Sequence, residues 1–313
     1  MSDRVKVIGA FAAVYVIWGS TYLAIRIAIE TLPPLLMAGA RFFTAGAVLY
    51  VWSVLRWPAR PTPAEWRATT ITGALLMLGG NGALVWSEQL VPSGVAALLV
   101  AIVPAFMVLL NWLWRKGERP HVRTVCGLAL GFAGIALLVG RGSIGAGNAV
   151  HPVGALVLLL GSLSWATGSI YAKGASLPPA PLLATGMQML AGGSLLIAAG
   201  VLTGELGRLD PAGISLRSLL GFAYLLLFGA IIGFTAYTWL LRVVHPARVA
   251  TYAYVNPIVA VILGSVIAGE PFTVRMAVAA LVIVGGVVLV TLDQHTAARR
   301  AAGRARANAR AAA

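Results

Sequence analysis

The sequence predicts an all-α membrane protein: ten transmembrane helices as two inverted five-helix repeats, with both termini in the cytoplasm. Three observations carry this. First, 59% of the 313 residues are hydrophobic and only 10% are charged, with mean hydropathy +0.90. A soluble domain averages about 25% charged residues, so this chain cannot clothe a water-facing surface, and the same apolar content excludes disorder. Second, apolar runs of roughly 20 residues, the length of a membrane span, follow one another with a breaker between each. Third, residues recur at a fixed offset between the two halves.

Helix 1 (7–29) follows a basic Met1–Lys6 segment. It is too long for a signal peptide, lacks a small-residue cleavage site, and carries Trp18, Tyr22 and Arg26. Pro33-Pro34 separates it from helix 2 (34–55), and the Pro58–Pro63 stretch precedes helix 3 (67–88). Pro92 opens helix 4 (92–114), and Pro120 precedes helix 5 (123–140). The glycine-rich 140–152 segment leads to helix 6 (153–174), and Pro178–Pro181 to helix 7 (181–203). Asp210-Pro211, Pro246 and Pro271 then mark off helices 8 (217–242), 9 (246–268) and 10 (275–292). An Ala/Arg-rich tail, 294–313, follows; it reads as a cytosolic topogenic segment, with binding to anionic lipid as the alternative.

Orientation comes from the loops. With the N-terminus cytoplasmic, 17 of the 23 Lys and Arg lie on that side. Arg26, Arg141, Arg208, Arg217 and Arg275 lie on the other, and Arg41 is inside helix 2. The net charge of +14 is therefore a topology signal and predicts no nucleic-acid partner.

At an offset of 147, Trp18 matches Trp165, Arg26 matches Lys173, and Pro34 matches Pro181. Gly39 then falls on Gly186, Arg41 on Gln188, and Gly46 on Gly193. At 152–153, Pro104 matches Pro257, Gly117-Glu118 matches Gly269-Glu270, Arg123 matches Arg275, and Gly134 matches Gly286. The repeats are 7–141 and 152–293. Five helices per repeat, an odd number, insert the second copy upside down. That symmetry suits a substrate site near mid-membrane with two oppositely facing gates.

The Trp18-Gly19-Ser20-Thr21-Tyr22 run, the Arg41-Phe42 pair and the two Gly-Glu turns resemble the EamA repeats of the drug/metabolite transporter superfamily. The helix 9 run Tyr252-Ala253-Tyr254-Val255-Asn256-Pro257 is similar to a bacterial exporter branch of it. The resemblance covers 7–293. It implies ten helices, a central cavity, an inner-membrane location and export of a small-molecule substrate, such as an amino acid, related metabolite or drug.

Pro104 and Pro257 fall near the middle of helices 4 and 9. Each removes a backbone hydrogen bond and displaces the carbonyl four residues back, at Val100 and Ala253. Paired breaks at matched places mark gating positions, although single prolines are also common in membrane helices. Tyr15, Trp18, Tyr22 and Arg26 share one face of helix 1. Trp18 and its counterpart Trp165 lie away from the interfacial aromatic belts. Such faces either stack on a planar or cationic substrate, worth about 2 kcal/mol when desolvated, or pack the bundle.

Tyr252 and Asn256 form a polar face beside the Pro257 kink, with Tyr254 nearby; Asn81 sits in Leu78-Gly79-Gly80-Asn81-Gly82. Each is read as substrate-binding or as interhelical glue. Arg41, an intramembrane charge about 10 Å into helix 2, either holds a substrate carboxylate or donates to helix carbonyls.

Glu88 ends helix 3 at the outer face, and no acidic residue falls near mid-membrane, so no buried carboxylate relay is expected. Glu118 and Glu270 read as turn and helix-start chemistry. Cys126 is the sole cysteine, and His121, His151, His245 and His295 lie in loops or the tail, so neither a metal site nor a disulfide is expected. There is no phosphate-binding Gly-x-x-x-x-Gly-Lys loop, no cofactor motif, and no nucleophile–base set inside the bilayer, so an enzyme is not expected. A lipid flippase is the alternative function. The pairs Gly127/Gly131 and Gly229/Gly233 pack either within the monomer or across a homodimer.

Overall fold

A computed structural model describes residues 3–56, 60–115, 121–139, 150–244, 249, 251–290 and 292. The Gly117-Glu118 turn, Pro58, Pro120, Pro246, Arg141, His245, His295 and the 294–313 tail lie outside them. Among the described residues the chain is all helical, without a strand. The helices are α1 (Asp3–Ala28), α2 (Pro34–Arg56), α3 (Pro63–Ser87), α4 (Ser93–Trp114), α5 (Val122–Val139), α6 (Pro152–Ala172), α7 (Pro181–Leu202), α8 (Leu216–Val243), α9 (Tyr252–Ile267) and α10 (Val274–Val290). The first eight are long and apolar enough to cross a membrane; α9 and α10 are apolar but shorter. Sequence predicts ten spans of full length. The predicted start of the ninth falls on residues 245–250, most of which are not described.

Local chemistry sets the helix starts. Thr62 and Glu65 form a reciprocal capping box at α3, with Pro63 in the first turn. The Ser215 hydroxyl accepts from the Ser218 N–H at α8. Pro152 and Pro181 occupy the first turns of α6 and α7, where their missing N–H costs nothing.

Two features interrupt the regular helices. In α3 the stretch Ala74–Gly82 is π-helical, and in α8 so is Leu225–Ile232. Helix α4 is not merely kinked at Pro104, as the sequence predicts. It breaks after Ser93–Val100, with a turn at 101–102, and resumes at Val103, so that Pro104 is the second residue of the continuing piece. Proline lacks the N–H a continuous helix needs, and it is tolerated in a first turn. Pro257 instead lies inside α9.

Helices in lipid associate through close packing rather than a hydrophobic driving force, so small residues line their contacts. Along α2 and α7 the backbones touch. A Cβ on Gly46 would lie 2.5 Å from the Leu190 nitrogen, and one on Gly193 2.5 Å from the Phe43 nitrogen. Gly127 and Gly286 bring α5 and α10 together in the same way. The Gly127/Gly131 pair therefore packs within the chain, and Gly229/Gly233 packs on α1.

Two large apolar cores result. One joins α1, α2 and α3 to α7 and α8 through Ile25, Phe42, Met77, Met189, Leu196 and Leu225. The other joins α4 and α5 to α6, α9 and α10 through Leu99, Ile102, Ile135, Leu158, Val261 and Ile283. Each core draws on both halves of the sequence. Large apolar side chains such as Trp52, Leu156, Leu160, Leu220, Phe228 and Ile262 are exposed. A bilayer accommodates such a surface and water does not.

Candidate functional site

Trp18, on the face of α1 that it shares with Tyr15 and Tyr22, turns toward α8 and α9. The Trp18 ring lies 5.2 Å from Phe234, 5.0 Å from Tyr237 and 5.2 Å from Tyr252, the last edge-on. Its indole N–H donates to the carbonyl of Gly229 (3.3 Å), in the π-helical part of α8. A Cβ on Gly233 would come within 2.5 Å of that nitrogen. Glycine is thus what lets an indole seat on this helix.

Trp165 is placed in the matching way on the other side. Its ring lies where a Cβ on Gly80 would sit 2.8 Å away, in the π-helical part of α3. The neighbouring Ser164 hydroxyl donates to the Leu75 carbonyl (2.8 Å). Ser20, beside Trp18, shares a hydrogen bond with the Tyr224 hydroxyl (2.7 Å). Each tryptophan thus leans on a π-helical segment of the opposite half. Short π-helical stretches inside α-helices occur frequently at functional sites. Both indoles are half-buried, as are Tyr22, Tyr252, Tyr254 and Asn81.

The remaining sequence candidates divide between two places. Tyr252 belongs with Trp18 and Tyr237, whereas Tyr22 and Tyr254 pack against the α4–α10 core. Asn256 is buried; with its amide nitrogen turned to the backbone it donates to the carbonyls of Tyr252 (3.2 Å) and Tyr15 (3.3 Å), tying α9 to α1. The Tyr15 hydroxyl bonds to that of Thr251. Asn81, at the end of the α3 π-segment, accepts from the Arg41 guanidinium (3.4 Å). Pro104 lies at the start of the second piece of α4, and Pro257 follows Asn256 in α9.

Arg41 is 4% exposed, stacked over Phe42, and its Nε has no partner. Glu88 stands at the end of α3, as the sequence predicts, and is fully buried there, which the sequence does not foretell. The turn after α3 folds inward: Ser87 and Val91 meet Gly154 of α6, and Arg26 of α1 donates to the Glu88 carbonyl. Arg26, Arg41, Glu270 and Tyr22 are its electrostatic neighbours. Glu88 follows the last residue of the α3 span. Burial, reinforced by Glu270, pushes its carboxyl well above the usual carboxylate range, against the pull of Arg26 and Arg41.

Glu270 works at a distance from its own turn. Its carboxylate accepts from the N–H groups of Ser93 (2.7 Å) and Gly94 (3.0 Å), capping α4. Glu205, which the sequence does not single out, accepts from Leu35 (3.2 Å) and Leu36 (2.9 Å) at the start of α2. The local signal for Glu205 is weak: a Gly-Glu pair like those at 117–118 and 269–270, with Gly204 at φ +77°. Among the described residues no three side chains are grouped to hold a metal ion.

Against this geometry, the comparisons with known proteins are specific. The model of the EamA-like transporter family matches twice, over residues 5–140 and 152–292. The uncharacterized inner membrane transporter YedA of Escherichia coli (strain K12) is 43% identical over 288 residues, spanning 92% of this chain and 91% of that protein. A protein of the same organism named "Probable amino-acid metabolite efflux pump" is 24% identical over 88% of this chain and 91% of its own length. A solved crystal structure superposes with a TM-score of 0.63 at 22% identity, covering 93% of this chain and 98% of that one. That last likeness concerns the fold alone.

Proposed function

Because the chain belongs to the EamA-like transporter family, we propose that it is a secondary transporter of the inner membrane. In this reading it exports small metabolites (amino acids or related compounds) or drugs, by alternating access. The observation that carries the reading is the matched seating of Trp18 and Trp165 on π-helical segments of opposite halves. Two equivalent, oppositely disposed aromatic sites suit a substrate handed from one gate to another.

The arrangement rests on ten spans as two inverted repeats, 7–141 and 152–293, with cytoplasmic termini and the basic tail 294–313 inside. The half-buried Trp18, Tyr22, Asn81, Trp165, Tyr252 and Tyr254 line the substrate path, and Asn256 fixes α9 against α1. Arg41 reaches the path through Asn81. The break in α4 before Pro104 and the proline of α9 supply the hinges. Inner-membrane location is supported by the likeness to YedA, and an amino-acid-like cargo by the likeness to the efflux pump.

Counterflow in proteoliposomes tests this directly. A panel of labelled amino acids and hydrophobic cations is offered with and without a pH gradient. Transport of at least one class is expected. If none is carried while a fluorescent lipid is scrambled, the exporter reading is replaced by that of a flippase.

A further inference from the structure

We propose that Glu88 is the proton-binding carboxyl of this chain, neutral while the α3–α4 end of the bundle is sealed, as in this structure, and ionised when that end opens. Its consequence for transport rests on the reading above; the titration itself does not.

Both carboxyl oxygens of Glu88 are buried and neither has a hydrogen-bond partner. The hydroxyls of Ser87 and Ser93 are buried without partners as well. An ionised carboxylate cannot rest there at small cost, because burying an unpaired charge is so unfavourable that the group neutralises instead. Counter-charges are near, but none bonds to the Glu88 carboxyl. Arg26 donates to the backbone carbonyl of Glu88, and Arg41 turns to Asn81 and the Phe42 ring.

The other groups facing Glu88 do not relieve it. From α1 comes Tyr22, and from the turn before α10 comes Glu270, whose carboxylate is taken by the N–H groups of Ser93 and Gly94. Helix α6 packs on Ser87 and Val91 through Gly154 and carries no charged residue between Pro152 and Ala172. His151, just before it, is exposed.

The proton balance is simple. On opening, the Oε–H bond breaks, the proton goes to water, and the carboxylate is left solvated beside Arg26 and Arg41. Before resealing, one proton is taken from water and the Oε–H bond re-forms. Substrate exchange between those two events couples one proton to each cycle.

Infrared spectroscopy of the full-length protein in lipid tests the titration. At neutral pH the carbonyl band of a protonated carboxyl is expected, absent in Glu88→Gln and kept in Glu88→Asp and Glu270→Gln. No such band in the unaltered protein, or its survival in Glu88→Gln, overturns the proposal. In proteoliposomes loaded with labelled leucine or tetraphenylphosphonium, Glu88→Gln is expected to keep gradient-free counterflow. Its accumulation driven by a pH gradient is expected to fall to the gradient-free level. Accumulation equal to that of the unaltered protein overturns the coupling. If neither probe moves even in the unaltered protein, the transport reading fails, and the infrared band alone decides Glu88.

Discussion

Asn256 and Trp18 carry the clearest consequences at the scale of single residues. Asn256 donates to one backbone carbonyl across helices, Tyr15, and to one within its own helix, Tyr252, and an interhelical hydrogen bond in a membrane is worth about 0.6 kcal/mol. Asn256→Ala is therefore expected to lower stability by about 0.6 kcal/mol, read as a lower midpoint of thermal unfolding in detergent; an unchanged midpoint would remove its role as a tie. Trp18 makes three ring contacts and one hydrogen bond. Trp18→Ala is expected to cut transport at least about tenfold, the factor that 1.4 kcal/mol represents, while membrane insertion is unaffected. Normal counterflow by this variant and by Trp165→Ala would dismiss the paired aromatic site. The sequence marks both tryptophans by spacing and repeat. It says nothing of the ring neighbours Phe234 and Tyr237, which come from a helix more than 200 residues away.

At the scale of helices, the ends matter as much as the spans. The first N–H groups of α2 and α4 are satisfied by carboxylates distant in sequence, Glu205 and Glu270. Unsatisfied helix-end donors away from water are costly. Glu205→Gln leaves one acceptor oxygen for two donors and removes the charge. It is expected to cost about 1.5–3 kcal/mol, the range for hydrogen bonds to charged groups. Thermal unfolding in detergent measures this, and an unchanged midpoint would mean that water already satisfies those donors. Helix existence was legible from apolar runs and prolines, because each span must satisfy its own backbone in lipid. The π-helical stretches in α3 and α8 were not legible. Glycines at 79, 80, 229 and 233 signal close approach, but not the change in helical period.

At the scale of the whole molecule, both apolar cores are assembled from the two halves together. Neither repeat buries its helices alone, so a chain truncated after residue 141 is expected not to accumulate as a stable membrane protein, with its abundance in isolated membranes as the measure. Comparable abundance to the full chain would contradict this. The proposed orientation has its own test: a fluorescent protein fused to the C-terminus should fluoresce, and alkaline phosphatase fused there should be inactive. Active phosphatase would reverse the topology.

Composition, hydropathy and the repeat by themselves determined the all-helical membrane class, where the apolar helices fall, and the residues that resemble the EamA pattern. These are local or additive properties, fixed by what a lipid solvent demands of each segment. Only the tertiary structure decided that Glu88 is buried, that Glu205 and Glu270 cap distant helices, and that each tryptophan is seated on the opposite half. A residue's burial and partners belong to the helices packed around it, and in this chain those helices come from both halves.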